Sequence, residues 1–459
     1  MINMEINERL DAALAARSKD MERTLAGWIK VPSVRGEAEE NAPFGREVRR
    51  MLDTAMADIR RLGMTPRNID GYACDTEIGE GEEVIAVLAH LDVVPEGEGW
   101  HSDPYGAEIR DGRMIGRGTS DDKGPAVAAL YAMRAIQDAG IPLRKRCRLI
   151  LGCDEETSME DLEYYDKKLG LPDKGFSPDA NFPLINTEKG IFNLVLRAPM
   201  TCEGIVSIES GTRSNVVPGE ARAVLQGDLR AEVAEAFEPE DEECSIEACL
   251  VEGNTHVMVK GFSAHASKPH LGRNAAKMLL STLCKLELGG EAVRILDEAA
   301  GKETAGQAMG IAGSDEVSGD LTLNLGILRC RDGKIEVEFN CRYPVFFNGE
   351  LVMETIEKRL APGGFVKVSG VNMPPHHVPA NSEIVTRLME VYNEINDTDE
   401  KPFAIGGGTY ARHLKEGVAF GMIFPGEPEL EHQPDESISL ENFHRAARIY
   451  AYAILALCA

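Results

Sequence analysis

An α/β fold with a mixed sheet and an inserted α+β domain is predicted by three features of this chain. Continuous apolar runs alternate with helical stretches over the first 190 or so residues, alternating strand patterns take over from about 188 to 377, and helix and strand return after 378.

Residues 6–29 and roughly 43–62 carry apolar side chains at three-to-four spacing, with Val31-Pro32-Ser33 as a break, and so read as two helices. From Asn68 the period becomes strand-like. Residues 84–90 form an unbroken apolar run, as a strand buried on both faces requires. Residues 124–139 read as a helix, 147–152 as a second buried strand, and 185–198 as the start of a more alternating region. This rhythm places ligand sites beyond the strand ends.

The middle region mixes strands (204–209, 221–229, 256–260, 334–342) with helices (232–236, 273–286, 293–300). The Pro-rich stretch Met373-Pro374-Pro375-His376-His377-Val378-Pro379 closes it. Helix 382–395 and strand 418–424 follow. A last helix begins near Ser439, a suitable N-cap, with Phe443, Ala447, Tyr450 and Ile454 on one face. The predicted organisation is one discontinuous domain, residues 1–187 and 378–459, interrupted by an inserted domain, 188–377.

Composition narrows the function. The 459 residues are 43% hydrophobic, enough for more than one core. A formal charge of −27 argues against nucleic acid and anionic membrane surfaces as partners. The N-terminus lacks a signal-peptide pattern and no run reaches membrane-spanning length, which predicts a cytoplasmic chain. The ten cysteines show no CxxC pairing and read as reduced, mostly buried thiols.

Chemistry is concentrated in His90-Leu91-Asp92, Asp121-Asp122-Lys123-Gly124 and Asp154-Glu155-Glu156. Taken singly, each has a commoner structural use: a hydrogen-bonded histidine, acids at a helix N-terminus, a solvated pair of glutamates. Each, however, follows a buried strand or opens a helix, where loops at the sheet end converge. Two divalent cations about 3.5–4 Å apart need a bridging carboxylate, further N and O ligands, and a water acidified to hydroxide near neutral pH. A His-x-Asp pair keeps the imidazole in a defined tautomer. A carboxylate that touches no metal must then take the water's proton and pass it to the leaving amine, and adjacent Glu155 and Glu156 can divide the tasks of base and ligand.

With Gly116-Arg117-Gly118-Thr119-Ser120-Asp121-Asp122-Lys123-Gly124-Pro125, Phe176-Ser177-Pro178-Asp179-Ala180 and Gly261-Phe262-Ser263-Ala264-His265-Ala266-Ser267, these strings resemble the dizinc peptidase family of aminoacylase, carnosinase and carboxypeptidase G. Gly406-Gly407-Gly408-Thr409-Tyr410-Ala411-Arg412, Phe424-Pro425-Gly426 and His432-Gln433 bring the chain nearest to its peptidase V type of bacterial dipeptidase. The resemblance covers nearly the whole chain.

It implies a metallo-exopeptidase catalytic domain with an inserted lid domain, and two metal ions, zinc or alternatively manganese. One ion would be held by His90, Asp121 and Asp179, the other by Asp121, Glu156 and His432, with Asp121 bridging. Asp92 would orient His90 and Glu155 would be the general base. The peptide after the bridging aspartate is expected to be cis. Asn215, His265 and Arg342 would bind substrate and polarise the scissile carbonyl, each such donor contributing about 2.7–4 kcal/mol in other enzymes. Gly408, Thr409 and Arg412, within the segment 406–412, would hold the substrate's C-terminal part.

Other histidines read differently: His444 as a packed or solvent-facing residue of the last helix, His376-His377 as part of an exposed connection. The glycine run at 406–408 lacks the Lys-Ser/Thr of a P-loop. The expected activity is hydrolysis of small peptides, mainly dipeptides, with an N-acyl amino acid deacylase or desuccinylase as the alternative. A catalytically silent binding protein is disfavoured, because every expected ligand and the base are present. The long insertion further implies an active site completed within one chain, and a monomer.

Overall fold

The computed structural model describes residues 4–200 and 204–459. They form two compact units: one runs up to Asn186 and takes in Val378–Phe403 and Gly408–Ala459, the other comprises Thr187–His377 and Ala404–Gly407.

The first unit is built on a mixed sheet. Its strands lie in the order Arg67–Ile69, Ala73–Ile78, Arg146–Gly152, Val84–His90, Lys174–Ser177, Glu416–Ala419 and Ile185–Glu188. Val84–His90 is parallel to both of its neighbours. Its unbroken apolar run follows from burial on both faces. Ile85, Val87 and Ala89 join the large core that contains the helices Lys123–Asp138 and Leu440–Cys458, whereas Ala86 and Leu88 join a smaller core with Leu162, Tyr165 and Tyr410.

Three parallel strands therefore end side by side. Val84–His90 delivers His90, Arg146–Gly152 leads into Asp154-Glu155-Glu156, and Lys174–Ser177 leads into Asp179. Lys123 opens its helix fully buried, donating from Nζ to the carbonyls of Val31 at 2.7 Å and Trp28 at 3.2 Å. These are the last carbonyls of the helix Met4–Ile29 and its exit, where a cation complements the helix dipole.

The second unit is an eight-stranded antiparallel sheet in the order Ser245–Val251, Asn254–Lys260, Glu220–Gln226, Ile205–Ser210, Thr322–Arg331, Lys334–Tyr343, Gly190–Pro199 and Val366–Met373. The helices Ala275–Lys285, Gly290–Ala300 and Gly349–Leu360 share its hydrophobic core.

Several elements depart from the sequence reading. The run 185–198 is two strands, Ile185–Glu188 and Gly190–Pro199, which belong to different sheets. The run 418–424 is likewise split, into Glu416–Ala419 and Met422–Ile423, the latter pairing with Ala180–Asn181. The second helix starts at Arg46, because Gly45 closes a turn onto the Ala42 carbonyl at 3.0 Å. His376 and His377 do not lie in an exposed connection: they form a short half-buried strand opposite Glu188 and Thr187. No helix of the described residues is long and apolar enough to cross a membrane.

Candidate metal centre

His90, Asp121, Glu156, Asp179 and His432 meet beyond the ends of the parallel strands. His90 Nε2 lies 3.0 Å from Asp121 Oδ1 and 3.6 Å from Asp179 Oδ2. The other oxygen of Asp121 lies 2.9 Å from His432 Nε2, which is also 3.0 Å from Glu156 Oε2. Asp121 thus has one carboxylate oxygen toward each imidazole. Donor atoms of His90, Asp121 and Glu156 fall within 4.8 Å of one another, as do those of His90, Glu155 and Asp179. The Asp121–Asp122 peptide is cis.

The electrostatics favour a cation here. Burial pushes Glu155 well above the usual carboxylate range, and the charges of Asp179, Glu156 and Asp121 add to this against the pull of His90. Burial and Asp121 likewise raise Glu156 and Asp179. Asp121 itself goes the other way: burial raises it, but hydrogen bonds to His432 and His90 outweigh that and hold it below the usual range. For His432 burial opposes the charge, yet Asp121 and Glu156 push it up to about 11. For His90, too, burial opposes the charge, yet hydrogen bonds to Asp121, Asp179 and Asp92 raise it. Mixed imidazole and carboxylate donors in two adjoining groups fit borderline divalent ions.

Asp92 does more than face His90. His90 Nδ1 lies 3.0 Å from the Asp92 backbone carbonyl and 3.4 Å from its carboxylate. The carboxylate accepts the backbone N–H groups of Glu155 and Glu156, each at 3.2 Å. Asp154 is turned away, buried against Arg35 at 2.5 Å and Ser158 Oγ at 2.7 Å.

Three residues without an assigned role in the sequence reading support these groups. Glu436, fully buried, accepts from the N–H of Gly118 at 3.0 Å, of Ser120 at 2.9 Å and of Asp121 at 3.3 Å, and from Arg117 Nη1 at 2.7 Å. It lies four residues beyond His432, so one short segment delivers a candidate ligand and pins the loop that carries Asp121. Asp122 Oδ2 accepts the His90 N–H at 2.9 Å. Asp161 holds the turn before Glu155, accepting from Asp154 N at 2.9 Å. A buried acid four to six residues from a ligand motif is the only sequence signal for the first and last of these, and exposed acids at such spacings are far commoner.

The expected substrate contacts divide between the units. In the first, Thr409 Oγ1 accepts from Ala411 N at 3.1 Å and opens the short turn Tyr410–His413. A Cβ on Gly408 would meet Arg412 Nη1 at 2.8 Å, so glycine is what lets that guanidinium lie against the chain. In the second unit, Asn215 and His265 lie on adjoining segments, with Ala266 N donating to the Asn215 carbonyl at 2.9 Å. His265 Nδ1 pairs with Ser267 Oγ at 2.7 Å, and Arg342 donates to Asn340 Oδ1 at 2.9 Å and to the Gly406 carbonyl at 2.8 Å. His444, on the last helix, lies 3.2 Å from Glu22 and in neither group of candidate ligands.

An α/β sheet whose strand ends gather such a donor set defines a metal-dependent hydrolase. The chain belongs to peptidase family M20/M25/M40, which matches residues 86–456. It is 39% identical over 455 residues to the Bacillus subtilis (strain 168) protein named "Putative dipeptidase YtjP", covering 96% of this chain and 98% of that protein. Human carnosine dipeptidase 1 shares its fold, with a TM-score of 0.60 and 15% identity over 98% of each chain. So does the Bacillus subtilis YXEP protein, described as a dinuclear metal binding peptidase of the M20 family, with a TM-score of 0.50 and 12% identity over 96% of this chain and 99% of that one.

Proposed function

We propose that the protein is a two-metal dipeptidase of the peptidase V type. The observation that carries this reading is the carboxylate of Asp121, with Oδ1 at 3.0 Å from His90 and Oδ2 at 2.9 Å from His432. A carboxylate with an imidazole at each oxygen has the form of a bridging ligand. His90 and Asp179 would complete one ion's ligands and Glu156 and His432 the other's, with zinc the proposed metal and manganese the alternative. Bound there, such ions supply Lewis acidity and acidify water.

The chain's own groups do the rest. Glu155, raised by burial, takes a proton from water and returns it to the leaving amine. Asp92 fixes the peptide that carries it. Gly408, Thr409 and Arg412 would bind the C-terminal part of a short peptide, and Asn215, His265 and Arg342 would bind substrate and donate to the oxygen that gains charge. A dipeptide substrate is supported by the name of the Bacillus subtilis relative and by the 406–412 segment.

A site completed by one chain, in a monomer, belongs to the same reading and is supported by the length of the insertion, 188–377. Mixing inactive Glu155→Ala with inactive His265→Ala protein should restore no activity; a site shared between subunits would recover it. A cytoplasmic location is supported by seven buried thiols among the nine described cysteines. The substrate is tested by assaying zinc-loaded and manganese-loaded protein against panels of dipeptides and N-acyl amino acids. Turnover of dipeptides is expected; preferential deacylation would replace this reading.

A further inference from the structure

Four consecutive backbone N–H groups, from Cys153 to Glu156, point into two buried carboxylates. Asp161 Oδ2 accepts those of Cys153 and Asp154, the latter at 2.9 Å, and Asp92 accepts those of Glu155 and Glu156. The same oxygen of Asp161 also accepts the hydroxyl of Tyr410, while its Oδ1 accepts the N–H of Leu162 at 2.7 Å. Asp161 is fully buried and Tyr410 is 1% exposed. The Tyr410 ring in turn stands edge-on to His90, with centroids 6.0 Å apart and planes at 80°.

This contact is built for. Gly152 ends the strand Arg146–Gly152 directly beneath it, and a Cβ there would run into the Tyr410 hydroxyl and Asp161 Oδ2, with Tyr410 Cζ at 2.8 Å. Tyr410, 249 residues from Asp161 in sequence, is fitted to it and to Gly152. A buried carboxylate is costly unless it is fully hydrogen-bonded, and apolar packing would serve stability more cheaply. What Asp161 gains is a charge-assisted hold on the turn that presents Glu155.

We propose that Asp161 and Tyr410 are positioning residues that lock the Glu155-Glu156 turn to the Gly408–Arg412 segment, so that the proton-transferring carboxylate is set by the same segment that receives the substrate. The proposal rests on Glu155 being the base. Losing the Tyr410 hydroxyl frees one side of Asp161 and lets the turn shift; a displacement of about 1 Å at a reacting group costs up to about a hundredfold in rate.

The test compares Tyr410→Phe, Asp161→Asn, their double variant and Gly152→Ala, each loaded with zinc. Amide hydrogen exchange at 153–156 reports the turn directly, and metal content, kcat and KM for a dipeptide report its use. Tyr410→Phe removes only a hydroxyl and should fold. It is expected to keep its metal, to hold KM within about twofold, to lower kcat at least about tenfold and to speed exchange at 153–156. Gly152→Ala should reproduce this with both side chains intact, and the double variant should be no worse than the more impaired single one. Unchanged exchange in Tyr410→Phe would overturn the positioning role whatever the activity, and faster exchange with unchanged kcat per metal-loaded chain would overturn its catalytic use. If Glu155→Ala keeps full activity, the role of Glu155 fails instead, and exchange still decides whether Tyr410 positions the turn.

Discussion

The carboxylate of Asp92 accepts the backbone N–H of Glu155 at 3.2 Å. Its second oxygen takes the N–H of Glu156, also at 3.2 Å, so one buried acid beside His90 orders two glutamates of different proposed function. Asp92→Ala is therefore expected to cost more than the loss of a histidine-orienting partner, which alone weakens metal binding about 10–100-fold. Titration with zinc against a competing chelator should show that weakening, and kcat should fall as well even at saturating zinc. Full kcat at saturating zinc would confine Asp92 to His90.

Glu155 and Glu156 should separate cleanly. Glu155→Ala is expected to lose turnover by several orders of magnitude with metal content near two ions per chain, whereas Glu156→Ala loses metal, because Glu156 shares His432 with Asp121. Atomic emission on the purified variants checks this; equal metal loss in both would defeat the division of labour.

Glu436 should prove indispensable despite touching no proposed ligand side chain. Glu436→Ala leaves the Arg117 guanidinium buried without its 2.7 Å partner, a change that costs about 3–5 kcal/mol in comparable cases. Chemical denaturation should register that loss. The milder Glu436→Gln, which keeps the shape, should fold and show weakened zinc binding through a loosened Asp121 loop.

Metal removal should destabilise the protein more as pH rises. Burial and the Asp121 charge push Glu156 from its ordinary 4.5 up to about 7, and burial raises Glu155 and Asp179 as well. Carboxyls raised in the folded state bind their protons more tightly there, so they subtract stability as pH climbs from their unfolded values through the folded ones. His432, held up to about 11, acts in the same direction: its contribution is complete below its ordinary 6.5 and is lost as pH rises toward 11. Bound divalent ions relieve the carboxylate repulsion and bind best when the ligands are deprotonated. The gap in melting temperature between zinc-loaded and chelator-treated protein should therefore widen from about pH 5 to about pH 7.5. A gap that stays constant or narrows would contradict this.

Much of the first unit was legible in the sequence, since a strand buried on both faces writes itself as an apolar run, unbroken over 84–89 and, past Arg148, over 149–151. The final helix announced itself through Ser439, whose hydroxyl accepts from Asn442 N at 3.3 Å. The strands Ser245–Val251 and Val366–Met373 left little trace because they are the two edges of their sheet and expose most of their side chains. Thr322–Arg331 was missed for another reason: Thr322-Leu323-Asn324-Leu325 and Leu328-Arg329-Cys330-Arg331 each alternate, but a bulge between Leu325 and Ile327 shifts the phase from one half to the other. The candidate ligands could be named from short motifs: His90 ends a strand, Glu156 and Asp179 follow strands, Asp121 precedes a helix, and His432 was suggested by the family resemblance. Asp161, Glu436 and the double grip of Asp92 could not, because they act through backbone N–H groups that no residue type encodes.

Anomalous diffraction at the zinc edge, from crystals of the zinc-loaded protein, tests the central claim most directly. Two peaks about 3.5–4 Å apart are expected, with Asp121 between them, His90 and Asp179 on one, and Glu156 and His432 on the other. A single peak, a pair that Asp121 does not bridge, or zinc held without His432 would contradict the account.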